Sequence, residues 1–188
     1  MAALEQLSER DEAVLKTIFD PNATIANVIE DDGDKFQEND DDPNTDEFKD
    51  ASSYCMQGVS LSEAGKLEEA LVLITKAVET APGRAASYND RAQLLRLMGR
   101  DDAAMSDLER TLELTKGKKT RTRALALCQR GVLLRKRGVD DDARVAFTEA
   151  AKLGSSFAKK QVVELNPYAA LCNQMLSQVM RGEKEIKL

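Results

Sequence analysis

The sequence predicts an all-α chain folded as a row of stacked helical hairpins, and three observations point there. Ala, Leu, Lys, Arg, Glu and Asp dominate the composition, while aromatics make up only 4% and tryptophan is absent. A stretch of the chain repeats itself at an interval of 34 residues. Apolar residues recur at the three- and four-residue spacing of an amphipathic helix. A length of 188 residues allows one domain of ordinary size, and 42% hydrophobic residues suffice for its core.

The first segment, residues 1–29, contains SERDEAVLKTIFDPN (8–22), with Val14, Leu15, Ile18 and Phe19 at helical spacing and Asp20-Pro21 as a stop. It reads as one short amphipathic helix. Such a helix is marginal alone, so it is expected to dock either on another protein or, as the favoured reading, on the repeats, where it would occlude their groove. Residues 30–50 hold eleven acids against two bases, a net charge of −9, and read as a solvated, disordered linker. Residues 116–188 carry +9, so the two ends of the chain attract at long range and the acidic run can screen a basic surface.

The repeats follow. Aligning residues 51–84 with 85–118 superposes Tyr54 on Tyr88, Gly58 on Ala92, Leu61 on Leu95, Gly65 on Gly99 and Ala70 on Ala104. A third copy, 124–157, brings Leu127, Gly131, Leu134, Gly138, Ala143, Phe147 and Ala150 into the same slots after the insertion KTRTR. The physical logic is shared by all three. A small residue at Gly58, Ala92 and Gly131 lets a first helix approach a second at Ala70, Ala104 and Ala143. Glycine at 65, 99 and 138 then ends the first helix, and Glu68, Asp101 or Asp140 opens the next. The insertion belongs to the basic cluster KGKKTRTR (116–123), read as a solvated helix start. With no interleaved aromatic, it offers nucleic acid no stacking platform.

These residues resemble the tetratricopeptide repeat, a helix–turn–helix unit, and the first copy fits it best through Tyr54, Gly58, Leu61, Ala70, Ile74, Ala77 and Pro82. Departures are Thr111 and Lys116 in the second copy, and Leu127 and Ser155 in the third. AVLKTIFDPN, ASYNDRAQ, RGVDDDAR and LGSSFAKKQ running into LNPYAALCN are similar to a group of small three-repeat proteins within that family. The resemblance implies a right-handed solenoid, no enzymatic activity, and binding to other cytosolic proteins, heat-shock-70-type chaperones among them.

Chaperone adaptors of the family grip an acidic C-terminal tail in a clamp of lysine, asparagine and arginine. In this register those positions are Cys55, Val59, Asp90, Leu125 and Gln129, and one repeat later Asn89, Gln93, Gln129, Lys159 and Val163, so neither register supplies the clamp. The expected protein-binding groove is lined by Asn89, Gln93, Arg96, Cys128, Gln129, Val132, Arg135 and Lys136.

The chemistry excluded is broad. With no histidine, hydrolase triads and zinc sites lose their commonest member, and no cofactor or metal is expected. GKKT (117–120) lacks the upstream glycine of a phosphate loop, where Leu112 stands. DPNATIANVIED (20–31) has Ile25 where a calcium loop turns on glycine. No run of about eighteen apolar residues offers a membrane span. Three cysteines without a CxxC pair, and an N-terminus without the apolar core of a signal peptide, suggest a reducing, cytoplasmic compartment, and a monomer is expected. The leading expectation is a non-enzymatic adaptor or co-chaperone that binds a protein in its groove. The alternative is a stoichiometric protector or inhibitor of a client enzyme, acting through the basic C-terminal half.

The tail, residues 158–188, is expected to close the stack with a capping helix pair. After the short helix SSFAKKQVVEL, Asn166 can cap a new helix with Pro167 at its first position. From there Tyr168, Leu171, Cys172, Met175, Leu176, Val179 and Met180 form one apolar stripe.

Overall fold

A computed structural model describes residues 35–36 and 42–166. Within them lie seven helices: α1 Asp46–Glu63, α2 Leu67–Thr80, α3 Ala85–Leu97, α4 Asp101–Leu114, α5 Arg121–Lys136, α6 Asp140–Lys152 and α7 Ser156–Glu164. They pair as the hairpins α1–α2, α3–α4 and α5–α6, with α7 packed on α6. The first helices α1, α3 and α5 also stack on one another and so line one continuous face. The amphipathic segment 8–22 and the apolar stripe after Pro167 lie outside the described residues.

Each hairpin has its own core, as its sequence slots require. Ala70, Ala104 and Ala143 are fully buried, and Ile74, Leu108 and Phe147 follow them one turn later. Burying each of those three larger side chains contributes roughly 1.5–3 kcal/mol. The small residue opposite is explained by contact. A Cβ on Gly58 would lie 2.4 Å from Cγ1 of Ile74, and one on Gly131 would lie 2.7 Å from the Phe147 ring. The close approach thus falls on the larger residue one turn after the alanine.

The turns inside the hairpins share one geometry. Gly65, Gly99 and Gly138 have φ of 78°, 74° and 75°, where residues with a Cβ are strained. Around the first of them, the Gly65 amide donates to Ser62 O at 3.0 Å and the Lys66 amide to Leu61 O at 2.9 Å, closing a Schellman motif.

One boundary departs from the sequence reading. Helix α1 begins at Asp46, inside the stretch expected to be linker. Asp46 and Glu47 occupy its first turn, where acids suit the helix dipole, and Phe48 packs on the first core. The basic cluster forms the start of α5 with Lys116, Lys118, Lys119 and Arg121 exposed, as expected, while its threonines and Arg123 turn inward. Thr120 caps α5 by accepting from the Arg123 amide, Thr122 is buried, and Arg123 Nη1 donates to Leu112 O at 3.0 Å and Thr115 O at 3.4 Å. Arg123 therefore satisfies carbonyls at the end of α4.

The second hairpin contains a polar interior pair. Arg91 of α3 grips Asp107 of α4 through two hydrogen bonds of 2.7 Å, and this holds the guanidinium's pKa above its ordinary value. Thr111, at the slot of Ala77 and Ala150, is buried with its hydroxyl donating to Asp107 O at 2.9 Å.

Chain ahead of α1 also rests on the repeats. The Lys35 amide donates to Gly154 O at 2.9 Å. Arg121 stacks over the Phe36 ring at 5.7 Å, and Asp42 accepts from Arg84 Nε at 2.9 Å.

Candidate functional site

The face formed by α1, α3 and α5 sorts the sequence-derived groove residues into several environments. Asn89 is buried, and Gln129 Nε2 donates to its Oδ1 at 3.0 Å and its backbone carbonyl at 3.3 Å, tying α5 to α3. Cys128 is buried with its thiol directed at Ser155 Oγ, 3.3 Å away, and Val132 packs into the third core. Arg135 is exposed but spans to α7, donating to Gln161 Oε1 at 2.6 Å and Glu164 Oε2 at 3.0 Å. Lys136 pairs with Asp101 at 2.6 Å. Arg96 is half-buried, and Gln93 is exposed. Most of the polar groups expected to meet a ligand are thus committed to neighbours within the chain.

The open cleft on this face lies one repeat earlier, between α1 and α3. Its volume is about 280 Å³, and Cys55, Met56, Val59, Glu63, Arg84 and Asp90 are among its lining residues. Helix geometry explains the set. Residues 52, 55, 56, 59, 60 and 63 recur at three- and four-residue steps, so they share one stripe of α1. Met56 is 66% exposed and Val59 41%, one turn apart, so two of the chain's exposed large apolar side chains sit side by side in the cleft.

The polar side of the cleft is a connected set. Cys55 Sγ donates to Ser87 Oγ at 3.5 Å. Arg84 Nη1 donates to the same hydroxyl at 3.1 Å and to Cys55 Sγ at 3.6 Å. Burial pushes the Cys55 thiol up, against the pull of the Ser87 hydrogen bond, which favours the thiol over the nucleophilic thiolate. Burial likewise raises the Asp90 carboxyl above the ordinary carboxylate range, although Arg84 pulls it down.

Among the described residues no group of three or more Cys, Asp and Glu side chains stands close enough to hold a metal ion. No helix among them is long and apolar enough to cross a membrane.

Family models described as tetratricopeptide repeat match residues 51–84 and 84–116. Over 92% of each chain, the protein is 45% identical to tetratricopeptide repeat protein 36 of Danio rerio. It is 42% identical to that of Homo sapiens, over 90% of this chain and 92% of the human one. The chain belongs to the tetratricopeptide repeat protein 36 family.

Solved structures support the same architecture for this member of the tetratricopeptide repeat protein 36 family. The TPR domain of P58(IPK) is 28% identical with a TM-score of 0.57, covering 71% of this chain and 37% of that one. The Sgt2 TPR domain from Aspergillus fumigatus has the same fold at 16% identity, with a TM-score of 0.55 over 73% of this chain and 86% of that one.

The cleft escaped the sequence reading for a definite reason. In the sequence, Cys55, Val59 and Asp90 stand in groove register as positions lacking a carboxylate clamp, which marks an absence rather than a site. The signal was there in the exposed Met56 and Val59, one turn apart on the helix stripe that also carries Cys55.

Proposed function

We propose that this chain is a non-enzymatic protein-interaction adaptor, co-chaperone-like in kind, that binds an extended segment of another cytosolic protein on the face of α1, α3 and α5. One observation carries the reading: these helices leave between α1 and α3 an open cleft with Met56 and Val59 exposed in it. A flexible methionine beside a branched apolar residue is suited to receiving side chains of varied shape.

The acidic C-terminal tail of a chaperone does not suit this cleft. Cys55, Val59 and Asp90 stand where the clamp would need lysine and asparagine, and Asp90 repels a carboxylate. A heat-shock-70-type chaperone would therefore have to be engaged through a different segment. The alternative, a protector or inhibitor of a client enzyme acting through the basic half, has weaker support. Arg123, Arg135, Lys136 and Arg137 are all engaged with partners inside the chain.

The test is affinity capture with the full chain and with the double variant Met56→Glu, Val59→Glu. Both positions are exposed, so the variant should fold. Proteins lost from its capture, with circular dichroism unchanged, are the expected result. An identical captured set for both chains would overturn the proposal.

A further inference from the structure

We infer that the cleft between α1 and α3 selects a segment carrying a lysine or arginine beside an apolar residue, the cation meeting Asp90 and Glu63 while the apolar side chain seats on Met56 and Val59. This rests on the cleft being a protein-binding site and specifies the chemistry of what enters it.

The charge balance decides the sign. Two carboxyl groups line the cleft, Asp90 half-buried and Glu63 exposed, and among the described residues neither is in salt-bridge contact with a cation, although Arg84 acts on Asp90 at longer range. The lining cation, Arg84, is committed on several sides: its Nε is held by Asp42 at 2.9 Å, and its Nη1 by Ser87 Oγ at 3.1 Å and Cys55 Sγ at 3.6 Å. Asp42 supplies the counter-charge for Arg84 from outside the cleft. With Arg84 shared between Asp42 and Asp90, two cleft carboxyl groups and Asp42 face a single cation, so the cleft keeps a net negative charge beside an apolar seat.

Asp90 gives an independent reason. Burial raises the Asp90 carboxyl's pKa by more than Arg84 and the Cys55 hydrogen bond lower it, so its desolvation is only partly compensated in the unliganded chain. An incoming ammonium or guanidinium would relieve that penalty. A carboxylate or a purely apolar ligand would leave it in place or worsen it. Met56 and Val59 lie one turn apart on α1, so an apolar residue next to the cation can be buried as the charge pairs.

The test uses fluorescence anisotropy of short, end-capped, labelled peptides that alternate leucine with lysine, glutamine or glutamate. The lysine peptide should bind the full-length protein about tenfold or more tightly than the glutamine peptide, with the preference shrinking at high salt. Asp90→Asn and the exposed Glu63→Gln should each erode the preference without weakening the glutamine peptide, and Asp90→Lys should transfer it to the glutamate peptide. Each measurement is repeated in Lys16→Glu, because AVLKTIFD (13–20) offers the same cation among apolar residues and would compete for the cleft. Equal binding of all three peptides, or tighter binding of the glutamate peptide, overturns the charge inference while leaving the cleft a binding site. Failure of every peptide to bind overturns both.

Discussion

Gly131 of α5 and Phe147 of α6 meet so closely that a Cβ on the glycine would lie 2.7 Å from two ring carbons. The ring is fully buried and also makes an edge-to-face contact with Phe157, centroids 5.9 Å apart, which restricts where it can shift. Gly131→Ala is therefore expected to cost about 1–3 kcal/mol by overpacking. The second hairpin already holds alanine opposite leucine at these slots, as Ala92 and Leu108. Adding Phe147→Leu to Gly131→Ala should thus recover part of the loss. Urea unfolding of the two single variants and the double variant reads the coupling, and strict additivity would show that the two residues do not clash.

The Arg91–Asp107 pair should behave differently from the exposed pairs. Asp107→Ala leaves a largely buried guanidinium without its bidentate partner and is expected to cost about 3–5 kcal/mol. Arg135→Ala, which removes a half-exposed contact with Glu164, should cost about 1 kcal/mol or less. Equal losses for the two variants in denaturant titrations would show that burial does not separate these ion pairs.

Asp90 predicts a pH dependence. Its carboxyl faces Arg84 and Cys55, with Glu63 also lining the cleft, and burial raises its folded pKa above the unfolded one. The stability it contributes is complete below the unfolded pKa and is lost as pH rises through the folded value. Asp90→Asn escapes that loss, so it should melt a few degrees higher at neutral pH, with the advantage disappearing in acid. Thermal melts of parent and variant across that range check it. An advantage that persists in acid would point to a cause other than ionisation.

Gly154 has φ +105°, and a Cβ there would lie only 1.8 Å from the Lys35 carbonyl oxygen. Gly154→Ala should cost about 1–2 kcal/mol from backbone strain and displace residues 35–36 from the turn. Faster hydrogen exchange at the Lys35 amide is the expected reading, with the amides of α1 unaffected.

Much of this fold is legible in one sequence because the hairpins depend on short-range chemistry. Gly58, Gly131 and the turn glycines must be what they are for steric reasons, and they fall at the repeat interval. The start of α1 was obscured because Asp46 and Glu47 extend an acidic run, although Phe48, Ala51 and Cys55 already carry the helical spacing into it. The groove was harder to read. Whether Arg135, Lys136 and Cys128 are available depends on Glu164, Asp101 and Ser155, partners brought in by the stacking of helices, and a single sequence does not announce such pairs. The cleft itself is made by what α1 leaves uncovered, which no motif records.

A row of repeats ordinarily has two ends, each touching one neighbour and each able to fray while the middle stays folded. The hydrogen bond from Lys35 to Gly154 joins a residue that precedes the first hairpin to the turn that follows the third. Lys35 thus touches the far end of the stack while Asp42 holds Arg84 at the near one, and the segment before the first repeat meets both ends of the row.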